Sequence, residues 1–415
     1  MNVKKNDNIF LLKNYNIRKV DINFEIYKGE LYFNLLNSFI NDCVTIFNQE
    51  IFSFKKNYIR TITNLLSGWF FYMYSKYDFT GDYFFPNNYQ DNEYLKKTIR
   101  DYCSINLNFK NNFNTLIELL IKKVNVNYKN ILKKLEDYKN TNIVYHVNIS
   151  KIIIEKIKNK KLNFSYKFIL DNYSTNLKQY NNILNNILLP KSCYNKLKRK
   201  YTGDKKKIDD IIFILLLRYQ LLGSNNNQLS ILPNNIDNMK KDFNLGFELF
   251  GSSINCVLDN YCSIYYDIEK YFGSKGSFFN LIPLQGTYTF NPPYQDYIIT
   301  KGINHLLEFL EYGKNLCFIL TIPIWDNYGK NIMEKNNKSN NNNVLKYDDF
   351  KIMKKVRNSK FLKGIKMIYK DNFTYFDHNF ELYKNTTIQN TYIIVLSNFD
   401  NNYFDIINKY NFHDY

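Results

Sequence analysis

Four consecutive residues, Asn291-Pro292-Pro293-Tyr294, combine groups suited to chemistry on the exocyclic N6 amine of adenine. That amine is a poor nucleophile, because its lone pair is delocalised into the ring. Methyl transfer from a sulfonium needs the lone pair turned toward the methyl carbon. Two acceptors that take the amine's hydrogens favour a tetrahedral nitrogen. The Asn291 side-chain carbonyl can be one and the Pro292 backbone carbonyl the other. Two prolines fix φ and stiffen the turn, so the acceptors are held in advance. Tyr294 adds a flat face on which a base can stack. No strong general base is required, since the proton can leave after the carbon–nitrogen bond forms, and most of the rate gain comes from positioning. The same four residues also fit a plain strand end followed by a proline turn, so the motif depends on its context.

That context is an alternation of strands and helices beginning near residue 208. Apolar and small-residue patterns predict a helix over 208–222 and a loop of little side-chain bulk over 223–228. A strand is expected over 247–250, a helix over 255–266, and short strands over 277–284 and 287–290. A helix over 297–312 and strands over 316–322, 361–369 and 391–396 complete the pattern. This is the signature of an α/β fold with a mostly parallel sheet covered on both faces. Asn291 then falls at the carboxyl end of a strand, the edge where such sheets bind ligands.

A second candidate lies upstream, in Glu248-Leu249-Phe250-Gly251-Ser252-Ser253-Ile254-Asn255. A strand runs into small residues that admit a cofactor to the backbone. The N-terminus of the helix expected at 255 would offer free N–H groups to a carboxylate. A third stretch, residues 271–279, is a glycine turn containing Gly273, with Asp267 and Glu269 just before it. An acidic side chain there could hold ribose hydroxyls, and a purely structural turn explains it equally well. Residues 334–343, EKNNKSNNNN, form a polar low-complexity insert, to be read as a lid or as plain disorder.

The chain has 415 residues, enough for two domains, and 45% are hydrophobic. Aromatics reach 18%, with 37 Tyr, 34 Phe and 2 Trp, which AT-rich coding explains without invoking base stacking. The net charge of +18 points to a polyanionic partner. The lysines cluster at 122–123, 133–134, 156–161, 196–200 and 205–207, all ahead of the α/β region. We therefore expect a mainly helical, basic, RNA-binding domain over 1–207 and a catalytic α/β domain over 208–415. Six scattered cysteines, without CxxC spacing, and four histidines give no metal site and no disulfide framework. The longest apolar run, 211–217, is far short of the ~20 residues that span a bilayer. A soluble protein in a reducing, intracellular compartment is expected.

Five short stretches, taken together, resemble the cap-specific adenosine N6-methyltransferase family, also called the phosphorylated-CTD-interacting factor 1 family. They are FGSSINC at 250–256, YCS at 261–263, YFGSKG at 271–276, NPPY at 291–294 and IPIW at 322–325. LRYQLLG at 217–223 and the strand after Asn390-Thr391 fit as well. The resemblance covers about half of the chain in the same order. It implies a Rossmann-like, S-adenosylmethionine-dependent methyltransferase core joined to a helical domain. The implied reaction forms N6,2′-O-dimethyladenosine beside a 7-methylguanosine cap on RNA. Catalysis falls to Asn291, Pro292, Pro293 and Tyr294. Glu248, Phe250, Gly251, Ser252, Ser253, Asn255, Asp267 and Gly273 face the cofactor. Arg218, Gln228 and Trp325 are candidates for substrate contact. Two features depart from the family. Tyr stands at 294 where Phe is usual. The only tryptophans, Trp69 and Trp325, lack the spacing of a WW module, so no polymerase-tail binding through such a module is expected. Location would be nucleus or cytoplasm, or a viral factory for a virus-encoded chain. Two alternatives stand beside this one: an adenine-N6 methyltransferase acting on internal RNA or DNA, and a catalytically silent RNA-binding relative.

Overall fold

The structure is a computed structural model. It describes residues 8–12, 20–47, 58–76, 82, 84–86, 88–104, 113–138, 147–155, 162–171, 177–223, 228–326, 351–379, 382–385, 390–399 and 403–412. The chain forms two compact units, one of Tyr15–Asn227 and one of Met1–Asn14 with Gln228–Tyr415. The Asn-rich insert at 334–343 and the lysine run at 156–161 lie outside the described residues.

Strand β1 (Ile9–Leu12) belongs to the second of these units. The first unit then begins with four helices: α1 (Ile22–Ile46), α2 (Tyr58–Lys76), α3 (Glu93–Ser104) and α4 (Phe113–Glu136). Asp21 starts α1 by accepting a hydrogen bond from the Phe24 N–H at 2.9 Å, which satisfies one of the amides a helix start leaves open. Strands β2 (Val147–Glu155) and β3 (Leu162–Leu170), helix α5 (Lys178–Leu184), β4 (Leu188–Pro190), α6 (Lys191–Lys200) and α7 (Ile208–Leu221) complete it. Strands β2, β3 and β4 make an antiparallel sheet, so the unit is helical with a β addition.

Helix α7 corrects the expected boundary at 207/208, because it packs inside this first unit. Ten of its fourteen residues are buried, among them Arg218 with no exposed surface. Arg218 donates to Glu25 through Nε at 3.1 Å and Nη2 at 2.9 Å. Lys28 lies 2.5 Å from Glu25 and 2.6 Å from Asp82, closing a buried set of two cations and two anions. A lone buried charge would be very costly, so this pairing ties α7 to α1.

The second unit continues with β5 (Leu229–Ile231), α8 (Pro233–Phe243), β6 (Leu245–Glu248), β7 (Asn260–Tyr261), the one-turn α9 (Tyr266–Glu269) and β8 (Leu281–Phe290). Then come α10 (Asp296–Tyr312), β9 (Leu316–Pro323), α11 (Ile352–Arg357), β10 (Leu362–Ile368), β11 (Thr374–Asp377), β12 (Leu382–Asn385), β13 (Thr391–Ser397) and α12 (Phe404–Asn408). The main sheet has the order β10-β13-β9-β8-β6-β7, with β1 paired to β8. Strands β7, β6, β8 and β9 run parallel, β13 is antiparallel to β9, and β10 is antiparallel to β13. A small sheet, β12-β11-β5, stands beside it.

All eight residues of β9 are buried, as expected of a strand covered on both faces. Its side chains alternate between two cores. Phe318, Leu320 and Ile322 join Ile299, Ile303 and Leu306 of α10 and Met353 of α11. Cys317 and Ile319 join Ile236, Met239 and Phe243 of α8 and Ile407 of α12. The unit is therefore a three-layer α/β structure on a mixed sheet.

Two expected elements are corrected. Residues 281–290 form one strand instead of two, because Gly286 takes φ +112, which glycine tolerates, and the strand continues through it. Its first half pairs with β1 and its second half with β6 and β9. No helix spans 255–266; the chain turns and returns as β7, parallel to β6.

Candidate functional site

The chain leaves β6 toward β7 on one side, whereas β8 and β9 lie on the other. The carboxyl ends of β6 and β8 thus flank the point where strand order reverses, the crevice in which open α/β sheets hold ligands. Both sequence candidates fall there. The Leu249 N–H donates to the Thr289 carbonyl at 2.8 Å, and the Phe250 and Phe290 rings meet edge-on at 5.3 Å.

The turn after β6 is locked by its own side chains. Asn255 Oδ1 accepts from the Ser252 N–H at 2.7 Å, while Ser252 Oγ accepts from the Asn255 N–H at 3.0 Å. One Glu248 carboxylate oxygen accepts from the N–H groups of Val257 and Leu258, at 2.7 and 2.6 Å. Glu269 accepts from the Ser253 N–H at 2.6 Å and from Ser253 Oγ at 2.9 Å. The amides that were expected to greet a carboxylate at a helix N-terminus are therefore taken up within the protein. Ser, Asn and Asp compete for the backbone in this way and favour turns over helix.

Other expected residues find specific places. Gly251 is not required by strain or by crowding: a Cβ there would meet its nearest neighbours at 3.6 to 3.8 Å, an ordinary contact. Gly273 has φ +102 and closes the turn after Phe272, which only glycine adopts readily. Asp267 is buried on α9. Gln228 is 2% exposed; its Oε1 accepts from Ser252 Oγ at 2.5 Å, and its Nε2 has no partner among the described residues. Thr289, on β8, also carries a buried hydroxyl without a partner. Buried polar atoms are rarely left without a partner among their own protein's groups, and Gln228 and Thr289 are two of the described residues where this occurs. Arg218 is corrected as a substrate contact: it is sealed in the other unit, with its guanidinium engaged by Glu25.

At the end of β8 the four motif residues occupy the expected place. Gly302 of α10 brings that helix against the strand, since a Cβ there would sit 2.5 Å from the Phe290 ring. The helix thereby fixes the residue directly before Asn291. Asn291 is half-buried and Pro292 buried. Among the described residues, no hydrogen bond engages the Asn291 side chain or the Pro292 carbonyl. Tyr294 is half-buried, its hydroxyl 2.6 Å from that of Tyr375 and its ring edge-on to Trp325 at 6.3 Å. Burial pushes the Tyr294 phenol up to about 12, so it remains protonated near neutrality. Trp325 is 5% exposed and belongs to the core. The adjacent Asp326 is held by Arg357 at 2.7 Å and by the Tyr392 hydroxyl at 2.9 Å.

Sequence reasoning missed Tyr375, Thr289 and the Asp326–Arg357–Tyr392 set. Tyr375 lies 81 positions beyond Tyr294 and is one of 37 tyrosines, so no local signal singles it out. Among the described residues, no group of three or more His, Cys, Asp or Glu could hold a metal ion, and no helix is long and apolar enough to cross a membrane.

A family model described as the phosphorylated CTD interacting factor 1 WW domain matches residues 191–364. The match takes in the β6 turn and the four motif residues, and it contains one of the two tryptophans of the chain. Two curated relatives, from Mus musculus and Homo sapiens, are each named mRNA (2'-O-methyladenosine-N(6)-)-methyltransferase. Each is 31% identical over 121 residues, which is 28% of this chain and 17% of the relative. The chain thus covers less than a fifth of the length of these relatives.

Proposed function

We propose that the protein is an S-adenosylmethionine-dependent RNA methyltransferase that acts on the N6 amine of an adenosine next to a 7-methylguanosine cap. One observation carries the reading. Asn291 and Pro292 stand at the carboxyl end of the central strand β8, with their acceptor oxygens unengaged among the described residues. A Rossmann-like methyltransferase core is supported by the strand order, with four adjacent parallel strands and an antiparallel β13 between β9 and β10. The RNA substrate rests on the names of the similar proteins, and the cap on the family resemblance of the motif order in the sequence.

S-adenosylmethionine, when bound, supplies an electrophilic methyl on a sulfonium. The residues present fit it: Phe250, Gly251 and Ser252 line the β6 turn, and the partnerless Gln228 Nε2 and Thr289 Oγ1 offer polar contacts beside them. Glu248, Ser253, Asn255 and Glu269 then act by keeping that turn rigid. Asn291 Oδ1 and the Pro292 carbonyl would accept the two amine hydrogens, which favours a tetrahedral nitrogen and withdraws its lone pair from conjugation with the ring. The N–C bond then forms as the C–S bond of the sulfonium breaks, and one amine proton leaves to solvent. The prolines hold these acceptors in place before substrate arrives, so no reorganisation is needed at the moment of transfer. Tyr294 carries the base on its face.

The basic surface of the first unit suits an RNA partner. Lys198 and Arg199 at the end of α6 and Lys205, Lys206 and Lys207 in the following turn are exposed. An intracellular site of action accords with such a substrate.

The test is methyl transfer from labelled S-adenosylmethionine to matched RNAs bearing a 7-methylguanosine cap, an unmethylated cap or no cap. Transfer that requires the methylated cap is the expected result. Transfer indifferent to the cap would remove the cap-adjacent part and leave an internal adenine as substrate. No transfer to any adenine, with RNA binding kept, would leave a silent RNA-binding protein.

A further inference from the structure

Tyr294 is the one motif residue whose side chain is tied to a distant part of the unit. Its hydroxyl lies 2.6 Å from that of Tyr375, a short contact for two neutral phenols. Tyr375 is 7% exposed and sits in the middle of the small sheet, paired with Ile231 of β5 on one side and Lys384 of β12 on the other. Its ring lies 4.5 Å from that of Phe373, which limits its freedom further. Thr391, fully buried at the start of β13, places its side-chain hydroxyl beside both phenols and favours their charged forms. The NPPY turn and two later strands, β11 and β13, therefore bring three hydroxyls together.

A phenylalanine at 294 would be held by packing alone. Here Trp325 meets the Tyr294 ring only edge-on, at 78°. An anchored hydroxyl fixes where the ring axis points, and because a phenol O–H lies in the plane of its ring, the direction of the hydrogen bond also favours one plane for a base to lie on. From this geometry we infer that Tyr375, supported by Thr391, is a positioning residue that sets the orientation of the Tyr294 ring and so selects a stacked adenine at the target position. The inference rests on the methyltransferase reading of the site.

The test compares wild type, Tyr294→Phe, Tyr375→Phe and the double variant. The readouts are the Kd for 7-methylguanosine-capped RNA carrying adenine or an abasic site at the first transcribed position, the kcat and KM of methyl transfer, the Kd for S-adenosylmethionine, and Tm. Wild type should prefer adenine over the abasic site. Each single variant should lower that preference, and kcat/KM with it, by about three- to tenfold, the scale of one hydrogen bond. The loss should appear in KM, with cofactor affinity unchanged. The double variant should lose no more than either single one, because both break the same bond. An unchanged adenine preference in Tyr375→Phe, or additive losses in the double variant, would overturn the inference. A general fall in Tm and cofactor affinity without a selective loss of adenine preference would also overturn it, as a merely structural role. If Tyr375→Phe does not fold, Thr391→Val removes a hydroxyl of the same network at nearly constant volume and faces the same criteria. A wild type that ignores the adenine, or transfers no methyl, refutes the site reading itself, which is a different outcome from an active wild type with indifferent variants.

Discussion

At Asn291 the proposed chemistry depends on a single amide. Its carbonyl oxygen is free to accept, the rigid Pro292-Pro293 step follows, and no described side chain competes for it. Replacing it by alanine removes one of two preorganised acceptors at the reacting nitrogen. The expected loss is about 10²- to 10³-fold in kcat, the usual scale for deleting such a preorganised contact. S-adenosylmethionine affinity should remain near that of wild type, since the turn proposed to face the cofactor follows a different strand, β6. Single-turnover methyl transfer together with equilibrium cofactor binding checks both halves. Normal turnover in Asn291→Ala would remove the residue from the chemistry.

Elements, more than residues, decide how accurately that amide is placed. Helix α10 can lie against β8 only because Gly302 leaves room for the Phe290 ring. Gly302→Ala must displace the helix or the ring, an overpacking that costs about 1–3 kcal/mol. The displaced ring directly precedes Asn291, so kcat should fall while the cofactor Kd changes little. Urea unfolding and steady-state kinetics on the same sample test this, and a stable variant with unchanged kcat would show that α10 does not set the motif. The turn after β6 teaches the converse lesson. Its amides go to Glu248, Ser252, Asn255 and Glu269, so its function is to hold a fixed shape and not to offer N–H groups.

For the molecule as a whole, charge acts in two unrelated ways. Inside the first unit, Glu25, Lys28, Asp82 and Arg218 neutralise one another, with only Asp82 partly exposed. Arg218→Ala leaves Glu25 without its guanidinium partner and should lower stability by about 3–5 kcal/mol in chemical denaturation. On the surface, Lys205, Lys206 and Lys207 are open to a polyanion. If they meet RNA phosphates, substituting all three by alanine should reduce the slope of log Kd against log salt by about 2 for a single strand. An unchanged slope would place the RNA elsewhere.

Local sequence by itself determined that an Asn-Pro-Pro-Tyr turn follows a strand, that α7, α10 and β9 exist, and that lysine gathers ahead of the α/β region. These signals are short-range: proline restricts its own neighbourhood, and the apolar period of three to four residues depends on one helix face. The same locality explains the failures. The stretch 255–266 looked helical because nothing nearby reveals that Glu248 and Glu269 will claim its amides and that its backbone will pair with β6. Arg218 looked like a substrate contact because its partner, Glu25, lies 193 residues away. Tyr375 gave no sign at all. Long-range hydrogen bonds and buried ion pairs are made between residues that only the folded chain brings together. Tertiary structure alone therefore decided which charged and hydroxylated side chains are committed to the protein and which remain available for chemistry.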